Sequence, residues 1–305
     1  MNRGGAFFMM LAVILITFFV VALTFFSDVA NRESTQKRVE TLNNFVISTE
    51  EDIERSLYIA EFRTIFLFEQ RIIESGIYID DVESRFEEAF YSGTLYGEEE
   101  PLLTGVTYED IEDIMKEKAN KLGADISFSN SSLEVNQVDP WNVNARFTLT
   151  FVAEDLSGLV KWNRTYTSEV LVPLNNFADP IYLVNTNSLV TTNITQTPYD
   201  GFVSGNDVSN LSSHLENQYY VANADSPSFL KRLEGDFSAD ANGIESLVDV
   251  GKLASLGLSV EDKSVVDHIY FSSSNPAACG VSQIGMPSWF KLDSGHTSVY
   301  EVSCA

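Results

Sequence analysis

Basic residues are scarce in this chain. It holds 19 Lys and Arg against 44 Asp and Glu, and its formal net charge is −25. Nucleic acids and anionic lipid surfaces both favour positively charged partners, so this balance argues against either as a partner of the chain as a whole. The acidic residues are spread along the sequence. Such a distribution is typical of a solvated surface, or of adaptation to high salt, where screening weakens self-repulsion.

The local motifs of catalysis and cofactor binding are missing as well. The three histidines, His214, His268 and His296, have no zinc-binding spacing, and the sequence contains no GxGxxG, P-loop or GxSxG turn. Asp267 and Asp293 stand beside histidines, which leaves open a metal site, or a Ser-His-Asp triad, assembled only by the fold. We expect neither an enzyme nor a metal or cofactor site.

Cysteine is nearly absent. Cys279 and Cys304 are the two cysteines of the chain. In an oxidising exterior they would join the C-terminus to an internal loop by a disulfide, whereas in the cytosol they would remain free thiols. We predict the disulfide.

Long apolar runs are absent except for residues 6–26, AFFMMLAVILITFFVVALTFF, in which Thr17 and Thr24 are the polar side chains. At roughly 1.5 Å per residue, a helix of this length matches the hydrocarbon core of a bilayer. The run exceeds the roughly 7 to 15 apolar residues of a cleaved secretory signal, and no small-residue cleavage site follows it. It predicts a single-pass membrane anchor.

The residues before this run, Arg3-Gly4-Gly5, place a basic residue and two glycines ahead of an apolar helix. This layout resembles the class III signal of type IV pilins and archaeal pilin-like proteins. The resemblance implies removal of a leader after Gly4 or Gly5, and self-association through the apolar helix that remains. The acidic residue usual at the fifth mature position is missing, since Met9 or Met10 stands there. A plain uncleaved anchor is the alternative.

The rest of the chain is predicted to lie outside the cell. Arg3 on one side of the run and Arg32, Lys37 and Arg38 on the other give a weak orientation signal. Four N-glycosylation sequons follow, and such triplets are read only on the exported side. Their acceptors are Asn130, Asn163, Asn193 and Asn210.

A long helix continues from the anchor. Residues 27–75 contain neither Gly nor Pro, and Val39, Leu42, Val46, Ile53 and Leu57 recur at helical spacing. Two shorter helices are predicted at 80–91 and 107–122, the second with a Thr107 cap and a Gly123 stop. The organisation we expect is a leader and anchor at 1–26, an amphipathic helix at 27–75 and short helices at 76–123.

From residue 124 the apolar period changes to two. Val143 to Phe151 alternates apolar with polar residues, and a second alternating segment follows the turn Asp155-Leu-Ser-Gly158. This predicts an antiparallel hairpin with Asn163 on its solvent-exposed face. A further strand is predicted at 126–135. We expect an antiparallel β domain at 124–200 and a smaller α+β domain at 201–305, with short helices at 207–219 and 225–233 and a strand at 265–271.

The predicted fold class is therefore α+β, with an N-terminal transmembrane helix continuing into a long helix. Several short segments resemble segments of uncharacterised archaeal exported proteins with pilin-like N-termini. They are Asp139-Pro-Trp141 and residues 179–186, 243–248 and 289–293. The resemblance to that group implies no activity. We expect a membrane-anchored structural or adhesive pilin-like subunit. The alternative is a non-polymerising ectodomain that binds a surface ligand or glycan. Five aromatic residues could stack on sugars or simply pack: Trp141, Trp162, Trp289, Tyr219 and Tyr220.

Overall fold

The computed structural model describes residues 3–282 and 285–305. Met1 and Asn2, at the start of the predicted leader, lie outside the described residues, as do Gln283 and Ile284. The fold is α+β, with one long N-terminal helix and small antiparallel sheets, and this confirms the predicted class.

Helices occur along the whole described chain. They are α1 (Arg3–Ser75), α2 (Val82–Ser92), α3 (Tyr108–Lys121), α4 (Pro180–Asn185), α5 (Ser209–Glu216), α6 (Phe229–Glu234), α7 (Val250–Ser255) and α8 (Asp267–Tyr270). A 3₁₀ turn spans Pro101–Leu103.

The strands form small sheets. They are β1 (Thr94–Leu95), β2 (Glu98–Glu99), β3 (Ala124–Asp139), β4 (Asn142–Asp155), β5 (Lys161–Pro173), β6 (Tyr220–Ala222), β7 (Ile244–Ser246), β8 (Ala278–Gly280) and β9 (Lys291–Asp293). The three-stranded sheet has the order β3-β4-β5 and contains the predicted hairpin, whereas β1-β2, β6-β7 and β8-β9 are two-stranded.

Helix α1 is continuous because residues 6–75 contain no Gly or Pro to interrupt its hydrogen bonds. Its last residue, Ser75, is followed by Gly76. The φ of Gly76 is 67°, in the left-handed region, and its N–H donates to the Ile72 carbonyl at 2.8 Å. Its N-terminal part is long and apolar enough to cross a membrane. The large apolar side chains there are exposed, with Phe8 at 74% and Phe26 at 76%.

One compact unit comprises residues 1–53, 112–131 and 149–166. Its α1 portion buries Phe45 and Val46, and its α3 portion buries Met115 and Ala119. Three ion pairs join α1 to other parts of this unit: Lys118 to Asp52 at 2.5 Å, Arg164 to Glu50 at 3.0 Å and Arg38 to Asp155 at 3.0 Å.

The second unit comprises residues 54–111, 132–148 and 167–305, and apolar clusters form in two parts of it. The first gathers Ile65, Phe68 and Ile72 of α1 against α2 and the sheet, with the Phe68 and Phe86 rings 4.9 Å apart. The second lies in the C-terminal region and includes Leu247, Val265, Phe290 and Tyr300, all fully buried or nearly so.

The prediction of a strand at 265–271 is wrong. Val266 forms only an isolated bridge with Leu247, and Asp267–Tyr270 is a helical turn. A short apolar run does not distinguish a strand from a buried helical turn, and here the buried Asp267 carboxylate accepts hydrogen bonds that fix the chain at the start of the turn. The helix predicted at 225–233 begins later, at Phe229, because Ser228 is its N-cap.

Two carboxyl groups of α1 are buried in the second unit. Glu61 is 1% exposed, and its Oε2 has no hydrogen-bond partner among the described residues. Glu69 accepts a hydrogen bond from the Ala178 N–H. Burial raises the pKa of each from its ordinary 4.5 to about 8. Both groups therefore favour the protonated form in the folded protein.

We expect Glu61→Gln to stabilise the protein above pH 4.5. Between 4.5 and about 8 the folded state binds a proton that the unfolded state releases, so stability falls as the pH rises. This carboxyl should contribute roughly 1.4 kcal/mol of that loss for each pH unit in the window. Denaturant unfolding at pH 5 and pH 8 measures this loss in the wild type and in Glu61→Gln. Glu54→Gln, at an exposed position of the same helix, is the control for the substitution itself.

Candidate functional site: a buried cluster of charged and histidine side chains

A fully buried arginine stands at the centre of the C-terminal region. Arg232 on α6 places its Nη1 2.6 Å from Asp179 Oδ2 and 3.0 Å from Asp267 Oδ2, and all three side chains are 0% exposed. Its Nη2 donates to Asp267 Oδ1 at 3.2 Å and to the Ile244 carbonyl. One guanidinium therefore ties α4, α6, α8 and β7 together.

The two carboxylates in this triad differ in their other partners. Asp179 caps α4 by accepting from the Ile181 N–H at 2.9 Å, and it accepts from the Tyr220 hydroxyl at 2.7 Å. Asp267 accepts from the N–H and the hydroxyl of Ser246 at 2.9 and 2.8 Å.

The same difference appears in their protonation. Burial raises the pKa of Asp179 more than Arg232 lowers it. Burial also acts to raise the pKa of Asp267, but Arg232 and the hydrogen bonds outweigh it and hold that pKa below its usual range. Asp267 is thus the firm ion-pair partner of Arg232, and Asp179 takes up a proton more readily.

A second buried group centres on Glu245, the residue of β7 between Ile244 and Ser246. Asn223 Nδ2 donates to Glu245 Oε2 at 2.8 Å, and the Ser226 hydroxyl donates to the same oxygen. His296 Nε2 lies 3.2 Å from this oxygen, and its Nδ1 lies 2.8 Å from Asp293 Oδ1. A single imidazole therefore stands between two carboxylates.

This position keeps His296 protonated. Burial acts to lower its pKa, but Asp293 and Glu245 outweigh burial and raise it from 6.5 to about 10. Burial likewise acts to raise the pKa of Asp293, whereas hydrogen bonds from His296 and Ser264 lower it to about 2. His296 and Asp293 therefore form an ion pair throughout the neutral range.

All three histidines of the chain are buried in this region. The His268 and His296 rings are 5.6 Å apart, and the His214 ring is 5.7 Å from that of Tyr300. His214 differs from His296 in charge, because burial lowers its pKa to about 4 and keeps it neutral. Its Nδ1 lies 3.2 Å from Thr197 Oγ1, which holds the ring in place.

The fold thus brings together the two pairs, Asp267 with His268 and Asp293 with His296, that the sequence left open as a metal site. Within residues 3–282 and 285–305, no group of three His, Cys, Asp or Glu side chains could hold a metal ion. The nearby hydroxyls of Ser226 and Ser264 donate to carboxylates and not to a histidine. The arrangement is a buried ion-pair network that joins distant segments.

The aromatic residues proposed for sugar stacking do not share one surface role. Tyr220 is fully buried and donates to Asp179, so it is not available for a sugar. Trp141 and Trp289 are half-buried and pack against the two apolar clusters of the second unit. Trp162 and Tyr219 are also only partly exposed. None of these positions is a fully exposed stacking platform.

The predicted glycosylation sites lie on the surface. Asn130, Asn163, Asn193 and Asn210 are all exposed. Asn210 is the most constrained, because its Nδ2 donates to the Gly201 carbonyl at 2.9 Å. Whether any of them carries a glycan stays a prediction.

The predicted disulfide is present between Cys279 and Cys304, with a Cα to Cα distance of 5.5 Å. It joins β8 to the C-terminal residues next to the bridge between Val281 and Cys304. Arg3, Gly4 and Gly5 of the predicted leader lie at the beginning of α1. Cleavage after Gly4 or Gly5 stays a prediction.

We expect Arg232→Leu to lower the free energy of unfolding by about 3–5 kcal/mol, because two buried carboxylates would lose their cation. The matched control is Arg146→Leu, whose pair with Glu169 at 3.3 Å is exposed to solvent. That pair should contribute less than about 1 kcal/mol. Denaturant unfolding of both variants measures the difference, and equal losses would contradict the structural role of the triad.

We expect His296→Gln to reduce the loss of stability at alkaline pH. Because its pKa is raised to about 10, the stabilisation from His296 is complete below pH 6.5 and is lost as the pH rises through 10. His214→Gln is a control of opposite sign. Its pKa is lowered to about 4, so stability from the neutral ring is lost as the pH falls from 6.5 to 4. Thermal unfolding from pH 4 to pH 10 distinguishes the two variants. If His296→Gln lost as much stability at alkaline pH as the wild-type protein, the assignment of the charge to His296 would be contradicted.

Comparison with known proteins gives no match among protein-family models, curated proteins or solved structures. The function must therefore be argued from the helix, the exposed surface and the buried network themselves.

Proposed function

We propose that this chain is a membrane-anchored surface protein of the pilin-like kind, held by residues 6–26 with its folded part outside the cell. The observation that carries the proposal is the exposed apolar part of α1. An uninterrupted apolar surface of this extent is unstable in water and needs lipid or other helices to cover it.

Two features support an exterior location. The first is the disulfide between Cys279 and Cys304, since such bonds persist in oxidising compartments. The second is the surface exposure of all four sequon asparagines, which leaves each open to a glycan. The excess of acidic residues adds solubility to a domain that faces water.

A structural or adhesive role fits the buried network better than catalysis. Glu245 is 0% exposed and His296 is 6% exposed, so a substrate would have no direct access to either. The two side chains pair with each other, as in an ion-pair network that stabilises a fold. We therefore propose that the exposed surface, and not this network, contacts any partner.

The alternative is an anchored ectodomain that never polymerises. It is favoured by the absence of an acidic residue at the fifth mature position, where Met9 or Met10 stands. Both proposals share the anchor and the exterior domain, and they differ in whether the leader is removed. Polymerisation of pilin-like subunits implies release of the helix from the bilayer after that cleavage.

We expect the mature protein recovered from sheared surface material to begin at Gly5 or Ala6. Intact mass and N-terminal sequencing measure this start. Replacing both Gly4 and Gly5 by leucine should block processing and retain the protein in the membrane. Val260→Leu, at an exposed position of the folded part, is the control and should process normally. An intact N-terminus in detergent-extracted membranes alone would contradict the filament proposal and favour the anchored ectodomain.

A further inference from the structure

Three leucines are exposed near one another in the unit that also contains the apolar part of α1. Leu156 and Leu159, in the turn between β4 and β5, are 70% and 59% exposed, and Leu122, just after α3, is 41% exposed. The Leu156 N–H donates to the Gly123 carbonyl at 3.0 Å, so the two loops are joined. We call this surface the leucine end.

Helix α3 approaches the apolar part of α1 as it nears the leucine end. Near its C-terminus, Lys118 pairs with Asp52 at 2.5 Å. Four residues later, the Leu122 carbonyl lies 3.5 Å from Arg38 Nη1. Asp52 and Arg38 are both on α1, and Arg38 is the closer of the two to the apolar run. The end of α3 therefore points toward that run.

The β4–β5 hairpin shows the same direction. Arg164 on β5 pairs with Glu50 at 3.0 Å, whereas Asp155, at the end of β4, pairs with Arg38 at 3.0 Å. The turn of the hairpin therefore lies beside a part of α1 that is nearer to the N-terminus of α1 than the part beside Arg164. The exposed Leu156 and Leu159 lie beyond Asp155.

The remaining distance to the membrane is short. Arg38 follows Phe26 by 12 residues, which is about 18 Å along the helix axis. The turn extends beyond Asp155 by one to two residues, or roughly 3–6 Å, and the polar headgroup layer occupies roughly 5–7 Å on each side of the hydrocarbon. These lengths leave about 5–10 Å between the tip and the headgroups. A tilt of about 20° toward the hairpin, average for such helices, shortens that gap by about 4 Å.

The charge of this unit also fits a membrane surface. It contains nine basic and twelve acidic residues, whereas the second unit contains ten basic and 32 acidic residues. The strong negative charge of the chain is therefore concentrated outside the unit with the leucine end. Lys121 and Lys161 flank that end and form exposed pairs, with Glu117 at 2.6 Å and Glu154 at 2.8 Å. Such weak pairs leave the ammonium groups free to contact lipid phosphates.

We propose that the leucine end inserts into the interface of the same bilayer that α1 spans. This inference rests on the proposed membrane anchoring. Interfacial insertion buries apolar side chains at the boundary between headgroups and acyl chains, and it would give the domain a second contact with the membrane. That contact would fix the tilt of α1.

The test uses the full chain in phosphatidylcholine vesicles that contain lipids with a quenching nitroxide on the acyl chain. Because the native cysteines are joined, a single introduced cysteine can be labelled with a fluorophore. Leu156→Cys reports on the leucine end. Leu171→Cys, 50% exposed on β5 in the second unit, is the matched control, and Val13→Cys reports on the anchor.

We expect the labels at positions 156 and 13 to lose emission in the nitroxide vesicles and the label at 171 to keep it. Quenching at 13 but not at 156 would overturn the inference and leave the anchor intact. A shielded, blue-shifted label at 156 that lipids do not quench would also overturn it, because a second protein copy would then cover the leucines. Quenching at both 156 and 171 would also overturn it, because lipid contact would then not be specific to the leucine end. No quenching at 13 would overturn the proposed anchoring itself.

Discussion

The apolar side chains of α1 must be removed from water in two different ways. From Leu42 to Ile72 the helix buries one face against the folded part of its own chain. From Phe7 to Phe26 its large side chains are exposed, and nothing among the described residues covers them. The hydrophobic effect is proportional to the apolar area exposed, so this second stretch determines where the protein can exist. The membrane attachment and the self-association that we propose would each remove this stretch from water.

The C-terminal region meets a different constraint, the cost of burying charge. Arg232 and Asp267 are removed from water completely, and such groups are tolerated only when each finds a charged partner and hydrogen bonds. The fold meets this condition with contacts that join residues distant in sequence, such as Arg232 with Asp179 and His296 with Glu245. A few of the 44 acidic residues of the chain therefore form buried ion pairs that join distant segments. The remainder serve its solubility.

The sequence predicted the elements that have a regular period. Residues 27–75, the α3 segment and the hairpin were identified from apolar spacing, because helices and half-exposed strands each place apolar side chains at fixed intervals. The strand predicted at 265–271 failed because a run of seven residues carries too little periodicity. The buried network was not predictable for another reason. Its members, such as Asp179, Arg232 and Glu245, have no short spacing, and only the tertiary fold brings them together. The proximity of Cys279 and Cys304 could be inferred, since two cysteines allow one pairing.

Hydrogen–deuterium exchange along α1 in membrane vesicles measures directly whether its apolar stretch is covered. Amides exchange slowly where a helix is protected from water and cooperatively held, and faster where it is solvated and frays. We expect slow exchange at residues 7–26 and again at 42–72, separated by faster exchange at 28–41. Exchange at 7–26 as fast as that at 28–41 would contradict membrane anchoring, because the apolar stretch would then be exposed to water.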